Sequence, residues 1–445
     1  MPEISFPDGF SWGAAAASYQ IEGAWDADGR KPSIWDTFSK TPGRVLDGDT
    51  GDIACDHYHR VDEDIALMKR LGIGAYRFSI AWPRVIPDGR GPVNQAGLDF
   101  YDRLVDKLLA AGIRPFPTLY HWDLPQVLED EGGWPVRATA EAFADYAEVV
   151  GTRLGDRVND WMTLNEPWVA AFLGYVIGMH APGRMNLAEG LDAAHHLLLG
   201  HGLAVDRIRS VAPGARVGIV LDADHMVPVS GHPADVAEAA LRDQTRNLWF
   251  LDPVAGRGYP EEAVRSYEWD ERSVRPGDLE TIAVPLDQIG LNYYRWDVVR
   301  AGGVDDSERP GDPLVPGSEF TDMGWEVAPQ GLAPLLVRLH REYGYERIFV
   351  TESGAAYPDP ADASGRVQDD DRIDYLKRHF EAAHAAIEEG VPLAGYFVWS
   401  LMDNFEWSFG YSKRFGIVRV DYDTLTRIPK ASFDWYQGVI ARNGL

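Results

Sequence analysis

Cysteine is nearly missing from this sequence, and an excess of basic residues is missing altogether. The single cysteine, Cys55, has no second thiol to pair with, so an internal disulfide is excluded. Nothing therefore requires an oxidising compartment. Lysine and arginine number 42 against 69 aspartate and glutamate residues, which gives a formal charge of −27. Because nucleic acids and anionic membranes are themselves negative, neither is expected as a partner.

Long hydrophobic runs and targeting segments are also lacking. No uncharged apolar stretch approaches the length that would span a membrane. The first residues, MPEISFPDGFSWG, lack a basic region followed by an apolar run, so no signal peptide is predicted. With 45% hydrophobic and 25% charged residues, the composition is that of an ordinary globular protein. We therefore expect a soluble, cytoplasmic protein.

Several signatures of cofactor, metal and serine chemistry are absent as well. No GxGxxG follows the first candidate strand, and no HExxH occurs. The match to GxSxG, GFSWG (Gly9–Gly13), has its serine inside the first candidate strand, so it is not a nucleophile elbow at a strand-to-helix turn. The histidines considered as metal ligands are His57, His59, His121, His180 and His225. The adjacent pair His195 and His196 lies in a helical pattern, where neighbouring side chains point in different directions. We expect no catalytic metal, and Cys55 is interpreted as a structural thiol.

The chain does contain a regular alternation of short apolar runs and longer helical patterns. The candidate strands are Phe10–Ala15, Ala75–Ile80, Arg114–Leu119, Trp161–Leu164, Arg216–Leu221, Gln288–Asn292, Ile348–Thr351 and Leu393–Ser400. Candidate helices between them include Val61–Arg70, Phe100–Ala111, Ala140–Leu154 and Arg372–Glu389. The repeat predicts parallel strands with crossover helices, hence a single (β/α)8 barrel over residues 1–445 with enlarged loops. A doubly wound open sheet is the alternative.

Polar and aromatic side chains cluster at the predicted C-terminal ends of these strands. In a (β/α)8 barrel all such positions face one mouth, where active sites are built. They are Tyr19, Gln20, Glu22, Arg77, His121, Trp122, Asn165, Glu166, Asn292, Tyr293, Tyr294, Glu352, Trp399, Glu406 and Trp407. Two carboxylates, amides, imidazole and indoles would meet in one pocket. The indoles among the 15 tryptophans suit the apolar faces of sugars.

The two carboxylates Glu166 and Glu352 suit glycoside hydrolysis, in which one group donates a proton and the other attacks or activates water. With Arg77 and a tyrosine hydroxyl as neighbours, Glu352 should stay ionised and act as the nucleophile. Glu166 ends the stretch WMTLNEPW, and its apolar surroundings and a like charge across the pocket favour the protonated form. Esterification of Glu352 would remove that like charge, so Glu166 could next serve as the base.

Six blocks of the sequence resemble glycoside hydrolase family 1, the β-glucosidase family of (β/α)8 barrels, and they follow in the same order. The blocks are FPDGFSWGAAAASYQIEGAW (Phe6–Trp25), YRFSIAWPRVIP (Tyr76–Pro87), TLYHWDLPQ (Thr118–Gln126), TLNEPW (Thr163–Trp168), GLNYY (Gly290–Tyr294) and WSLMDNFEWSFGY (Trp399–Tyr411). One match would be weak, but six in order are highly specific. The resemblance covers nearly the whole chain.

The resemblance implies a role for each matching position. Glu166 would be the acid/base and Glu352 the nucleophile of a retaining enzyme without a cofactor. The implied substrate-binding residues are Gln20, His121, Trp122, Asn165, Tyr294, Trp399, Glu406 and Trp407. Arg77, Asn292 and Tyr294 would position the nucleophile, and Trp399 would form a platform under the sugar ring. We expect Trp168, His180 and Trp325 on the aglycone side.

Two positions bear on specificity and on the fine geometry. The family's usual TENG stretch reads TESG here, so Ser353 replaces an asparagine whose amide reaches further, which puts the fine positioning of Glu352 in question. Members that act on 6-phosphorylated sugars typically have a serine where this chain has Glu406. They also have a tyrosine where this chain has Phe415, although Lys413 is present. An unphosphorylated β-D-glucoside is therefore the predicted substrate, with β-galactosides and β-fucosides also accepted.

Two other functions use the same pocket. A sugar-binding protein without turnover needs aromatic and amide groups but not two opposed carboxylates. A transglycosidase would pass the glycosyl group to a second sugar instead of water, and the sequence leaves that choice open. A retaining mechanism further predicts that the carboxyl groups of Glu166 and Glu352 lie about 5–5.5 Å apart.

Overall fold

The strands of the barrel coincide with the predicted ones. The computed structural model describes residues 4–303 and 315–445, so residues 1–3 and 304–314 of the predicted domain lie outside it. Its strands are β1 (Ser11–Ala15), β2 (Ala75–Ser79), β3 (Arg114–Tyr120), β4 (Asp160–Asn165), β5 (Arg216–Asp222), β6 (His225–Pro228), β7 (Gln288–Asn292), β8 (Trp296–Val299), β9 (Ile348–Ser353), β10 (Leu393–Trp399), β11 (Val418–Asp421) and β12 (Thr426–Pro429). Eight of them close a parallel barrel in the order β1-β10-β9-β7-β5-β4-β3-β2. The predicted (β/α)8 fold is confirmed.

Helices connect the strands and cover the barrel. The α-helices are α1 (Ser18–Ile21), α2 (Ile34–Ser39), α3 (His57–Leu71), α4 (Trp82–Val85), α5 (Gln95–Ala110), α6 (Gln126–Asp130), α7 (Arg137–Leu154), α8 (Leu187–Val211), α9 (Pro233–Asp243), α10 (Trp249–Val254), α11 (Glu261–Ser266), α12 (Asp278–Ile282), α13 (Leu332–Arg341), α14 (Asp370–Glu388) and α15 (Ala431–Arg442). Short 3-10 turns cover Ala27–Gly29, Leu46–Gly48, Pro329–Gly331 and Trp407–Phe409, and π-helical segments cover Val169–Ile177 and Gln244–Leu248. Within residues 4–303 and 315–445, every helix is too short or too polar to cross a membrane.

The predicted helices begin too late in the sequence. α3 starts at His57 instead of Val61, and α5 starts at Gln95 instead of Phe100. The missed first turns, HYHR and QAGLD, mix polar and small residues with the buried His57 and Leu98, so their apolar period is too weak to mark the start. The ends are predicted better, because Gly72 caps α3 in the left-handed conformation that glycine adopts most readily.

Two layers of core hold the barrel in shape. Inside it, Phe116, Phe349 and Phe397 pack with ring centroids 5.1 to 6.2 Å apart. Small residues make room for them, since a Cβ on Gly13 of β1 would come within 2.4 Å of the Phe397 ring. The larger layer lies between the barrel and its helices. A filled interior leaves the C-terminal mouth as the place for a pocket.

Two small sheets extend the loops at this mouth. β6 and β8 form a parallel pair in the loops after β5 and β7, and β11 pairs antiparallel with β12 after β10. These additions are the enlarged loops that the length of the chain predicts.

Candidate active site

Seven of the eight barrel strands bring a predicted site residue to the mouth. Gln20 follows β1 in α1, Arg77 lies in β2, and His121 and Trp122 follow β3. Asn165 ends β4 and Glu166 follows it, Asn292 ends β7, Glu352 lies in β9 and Trp399 ends β10. All of these side chains are buried. The fold therefore gathers residues separated by hundreds of positions into one cluster.

Glu352 is held by a cation and a hydroxyl. Arg77 Nη1 lies 2.5 Å from its Oε1, and the hydroxyl of Tyr294 donates to Oε2 at 2.6 Å. Burial raises the pKa of Glu352, while the Arg77 charge and the two hydrogen bonds oppose that rise. The surroundings predicted from sequence are present, and both stabilise the ionised carboxylate.

Glu166 has a different environment. It is 6% exposed, and the neutral amide of Asn292 donates to its Oε1 at 2.6 Å. Burial raises the pKa of Glu166 well above its usual range, and the charges of Asp222 and Glu352 raise it further. Arg77 forms an ion pair with Glu352, but among the described residues no positively charged side chain is bonded to Glu166. Of the two facing carboxyls, Glu166 is thus the one that retains a proton.

Asn165 connects the two carboxyl groups. Its Oδ1 accepts hydrogen bonds from Arg77 Nη2 at 2.6 Å and from Asn292 Nδ2 at 3.1 Å. Its amide Nδ2 donates to Nε2 of His121 at 3.1 Å, so that imidazole nitrogen carries no proton. Burial and the nearby Arg77 charge lower the pKa of His121 well below its usual value, which keeps the ring neutral.

Aromatic rings and two acceptors form the inner wall of the pocket. The His121 ring stacks with Trp399 and Trp407, each with centroids 5.8 Å away. Buried Gln20 Oε1 and Glu406 Oε2 have no hydrogen-bond partner among the described residues. Two acceptors beside stacked rings fit a ligand that carries hydroxyl groups on an apolar face.

The protonation state of Glu406 differs from the one expected from the sequence. The sequence interpretation treats it as a carboxylate, but burial and the charge of Glu352 raise its pKa to about 8, against an opposing hydrogen bond from Gln20. At neutral pH the carboxyl of Glu406 is therefore mostly protonated. The burial that causes this depends on the closed fold, so the local sequence does not reveal it.

The three residues expected on the aglycone side lie at separate points of the wall. Trp168 stacks on Phe172, with centroids 5.5 Å apart. His180 lies among Trp35, Trp122 and Trp407, and burial lowers its pKa to about 3. Trp325 packs against Tyr294 and Phe415.

Sequence reasoning missed two charged residues beside Glu166. Asp222 ends β5, the strand for which no mouth residue was proposed, although its strand-end position is the same signal that identified the others. Arg246 pairs with Asp222 from the π-helical segment Gln244–Leu248, for which the strand pattern gives no signal. Conversely, Glu22 does not serve the pocket, because it pairs with Arg84 and accepts a hydrogen bond from Tyr101.

The surroundings of His57, His59 and Cys55 indicate structural roles for these side chains. His57 lies in the first turn of α3, and its ring is 2.7 Å from Asp64. His59 contacts Asp56 at 2.6 Å on the surface. Cys55 is buried, which raises the pKa of its thiol. Within residues 4–303 and 315–445, no cluster of three or more acidic, histidine or cysteine side chains could hold a metal ion.

Ser353 faces away from the pocket. It is buried in β9 next to the hydroxyls of Tyr375 and Tyr396, whereas Glu352 faces the mouth. Successive strand residues point to opposite faces, so Ser353 cannot contact a ligand at the mouth directly. Gly354 is required, because a Cβ there would lie 1.7 Å from the carbonyl oxygen of Trp399.

Three pocket residues have left-handed backbone conformations. Trp122, Glu166 and Trp407 have φ values of 75°, 46° and 48°. Such values are uncommon for residues with a Cβ and tend to occur at functional sites. The backbone thus turns sharply at the points where these side chains enter the pocket.

A buried group of ions anchors the loop that carries Glu406. Lys430 Nζ lies 2.5 Å from Asp359 and 2.8 Å from Asp403, and its side chain is 0% exposed. Arg414 also pairs with Asp403, and Arg372 with Asp359. Asp359 follows β9 and Asp403 follows β10, so Lys430 joins the loops of two neighbouring strands.

Replacing Lys430 by methionine should destabilise the protein by about 3–5 kcal/mol, because buried carboxylates lose a partner. The free energy of unfolding from a denaturant titration measures this change. Lys377→Met on the surface of α14 is the matched control and should change it by about 0.5 kcal/mol or less. An equal loss in both variants would contradict the anchoring role of Lys430.

The mouth of this (β/α)8 barrel holds two buried carboxyl groups beside several indole rings. This is the arrangement of a glycoside hydrolase. Residues 2–445 match the family model described as Glycosyl hydrolase family 1, and the chain belongs to that family. Beta-glucosidase A of Acetivibrio thermocellus is 48% identical over 447 residues that cover 100% of both chains. A bifunctional beta-D-glucosidase/beta-D-fucosidase of Bifidobacterium breve is 48% identical over 98% of both. The Thermotoga maritima β-glucosidase in complex with deoxynojirimycin has a TM-score of 0.94 at 47% identity, covering 99% of this chain and 100% of that chain.

Proposed function

We propose that this protein is a retaining β-glycosidase that hydrolyses terminal β-D-glucosides, including cello-oligosaccharides and aryl or alkyl β-glucosides. The observation that carries the proposal is the unequal environment of two facing carboxyls. Glu352 is bonded to the Arg77 cation, whereas Glu166 is bonded to a neutral amide beside further negative charge. Similarity to relatives named as β-glucosidases supports the same activity. Residues 1–445 would act as one catalytic domain in the cytoplasm.

The first half of the reaction uses both carboxyls at once. Glu352 attacks the anomeric carbon and forms a glycosyl ester, while Glu166 passes its proton to the departing glycosidic oxygen. Arg77 and Tyr294 hold both oxygens of Glu352, which fixes the nucleophile before substrate arrives. The free hydrogen on the Asn165 amide is available to the sugar's 2-hydroxyl, since its other amide hydrogen goes to His121.

The second half reverses the role of Glu166. Once Glu352 is esterified it carries no charge, so one of the groups that raise the pKa of Glu166 disappears. Glu166 then takes a proton from water, and the water oxygen attacks the anomeric carbon from the face that the leaving group left and displaces the Glu352 carboxylate. Two inversions give net retention of the β configuration.

The wall of the pocket supports a neutral glucoside. Trp399 would lie under the sugar ring, Gln20 would accept from one hydroxyl, and the protonated carboxyl of Glu406 would both donate to and accept from others. Trp122, Trp168, His180 and Trp325 would contact the aglycone. A relative named as a bifunctional beta-D-glucosidase/beta-D-fucosidase supports β-fucosides as further substrates, and β-galactosides are proposed with them.

The proposal is tested with a panel of aryl β-glycosides, with the first-formed sugar followed by NMR. Release of the β-anomer before mutarotation is expected. First release of the α-anomer would contradict the double displacement, because it requires a single inversion. Binding without product would indicate a sugar-binding protein instead.

Glu406 should select against a 6-phosphorylated glucoside. The only nearby candidate cation considered from sequence, Lys413, already contacts Asp322 through a hydrogen bond of 2.6 Å and an ion pair of 3.2 Å. A phosphate would therefore meet a carboxyl group without a free countercharge, and kcat/KM for aryl β-glucoside should exceed that for its 6-phosphate. Faster turnover of the phosphate would overturn this assignment.

Two variants of Glu406 separate hydrogen bonding from charge. Glu406→Ala should cost about 1–3 kcal/mol in kcat/KM for the glucoside, the range for leaving buried polar groups unpaired. Glu406→Gln should lose less at neutral pH, because the native carboxyl is mostly protonated there. Equal losses in both variants would show that the acidic proton itself is required.

A further inference from the structure

A third buried carboxyl stands next to the acid/base residue. Strands β4 and β5 run in parallel, and the backbone N–H of Glu166 donates to the carbonyl of Val220 at 3.0 Å. Asp222 lies two residues further along β5, and its side chain is 10% exposed. Of the charged groups near Glu166, Asp222 has the largest effect on it. A negative charge this close to an acid is costly unless it has a task or a partner.

The partner of Asp222 is Arg246, whose guanidinium is engaged on several sides. Nη2 pairs with the carboxylate of Asp222, and Nη1 donates to its backbone carbonyl at 3.4 Å. Nε lies 3.3 Å from Asp224. The guanidinium carbon lies 3.9 Å from the centre of the Trp168 ring. Ion pairs and stacking thus fix Arg246 in one orientation.

Arg246 is also close enough to Glu166 to act on its charge. A cation that bonded directly to the acid would stabilise its ionised form and lower its pKa by about 1–3 units. Such an acid would lose the proton that it must deliver. Glu166 receives its hydrogen bond from the neutral amide of Asn292 instead.

We propose that Asp222 is a positioning residue that holds Arg246 over Trp168 and away from Glu166, so that the acid faces no free cation. This inference rests on the proposed function, in which Glu166 donates the proton. Asp222 itself does not touch the reacting atoms. It acts through Arg246 and through its own negative charge.

The other groups that face Glu166 do not replace Asp222. Glu352 from β9 adds a second negative charge, but that charge is matched by Arg77 and is lost when the nucleophile is esterified. Asn292 from β7 is neutral, and the Tyr294 hydroxyl is bonded to Glu352. Burial raises the pKa of Asp222, but the charge and the hydrogen bond of Arg246 oppose that rise and favour an ionised Asp222 beside Glu166 in both halves of the reaction.

The test is the pH profile of kcat/KM for cellobiose in Asp222→Asn. Asparagine keeps the shape of the side chain but cannot hold Arg246 by charge, so the alkaline limb should move towards acid by about one pH unit or more. At the same pH, an activated aryl glucoside should lose less activity than cellobiose, because its leaving group needs no proton. If Asp222 had a purely structural role, kcat/KM would fall equally for both substrates and the alkaline limb of the pH profile would not move.

Asp224→Asn is the matched control, because it removes a carboxylate from the same guanidinium on its Nε side. It should leave the alkaline limb within about 0.3 pH units of the parent, since Asp224 is not among the main charges acting on Glu166. An unmoved limb in Asp222→Asn, or an equal shift in Asp224→Asn, would overturn the proposal.

The double variant Asp222→Asn/Arg246→Met separates release of the cation from other effects. With the cation gone as well, the limb should return towards that of the parent protein. The charge of Asp222 is still missing in the double variant, so a limb shifted as far as in Asp222→Asn would refute the role of Arg246. Thermal unfolding of each variant identifies any that fails to fold, and Asp222→Asn alone then decides the question. A parent protein without β-glucosidase activity would instead refute the proposed function.

Discussion

Glu352→Ala is expected to abolish turnover of every β-glucoside, activated or not. Without this carboxylate no covalent intermediate can form, and Arg77 and Tyr294 lose the group that they hold. The loss in kcat should reach about 10⁴-fold or more, as for removal of a nucleophile in other covalent enzymes. Steady-state rates with an aryl β-glucoside and with cellobiose measure it.

Ser353→Ala is the neighbouring control for this variant. Ser353 follows Glu352 on the same strand but faces the helices, so its loss should leave most of the activity. The nucleophile assignment fails if Glu352→Ala retains activity within about tenfold of the parent. It also fails if Ser353→Ala is as inactive as Glu352→Ala.

Glu166→Ala should divide substrates by their leaving groups. Cellobiose needs a proton on its departing oxygen and should slow by about 10²–10⁴-fold. Activated aryl glucosides leave without that proton, so the formation of the glycosyl ester should be affected far less. Their second step still lacks a base, and the ester should accumulate as a burst of released phenol.

Azide provides the decisive measurement for Glu166→Ala. As an anionic nucleophile it needs no base, so it should restore turnover of the activated substrate and yield a β-glucosyl azide. In Glu352→Ala no ester forms, so azide would attack the anomeric carbon directly from the vacated site, and this single inversion would give the α-glucosyl azide instead. Equal loss of activated and unactivated substrates in both variants would mean that the acid and nucleophile roles are misassigned.

Much of the barrel could be predicted because it depends on local sequence. Runs such as Arg216–Leu221 are apolar, flanked by helical patterns, and long enough for one strand, so their parallel arrangement follows from connection rules. Their C-terminal ends then locate Glu166 and Glu352 without knowledge of any distance. The same reasoning applied to β5 would have found Asp222.

Other features arise only from tertiary packing. Arg246 reaches the pocket from a π-helical segment, and no spacing in the sequence connects it with Trp168 or Asp222. The protonated state of Glu406 depends on burial by loops far apart in the chain. The outward direction of Ser353 requires the register of β9 against β10.

The left-handed backbones of Trp122, Glu166 and Trp407 limit how this protein can adapt to heat. Each conformation costs about 1–2 kcal/mol for a residue with a Cβ, and glycine would adopt it almost freely. Glycine, however, supplies neither an indole nor a proton. Lineages of this enzyme that move to hotter habitats cannot recover that free energy at these positions without losing catalysis. Gains in thermal tolerance then come from positions other than these three, while the pocket keeps its strain.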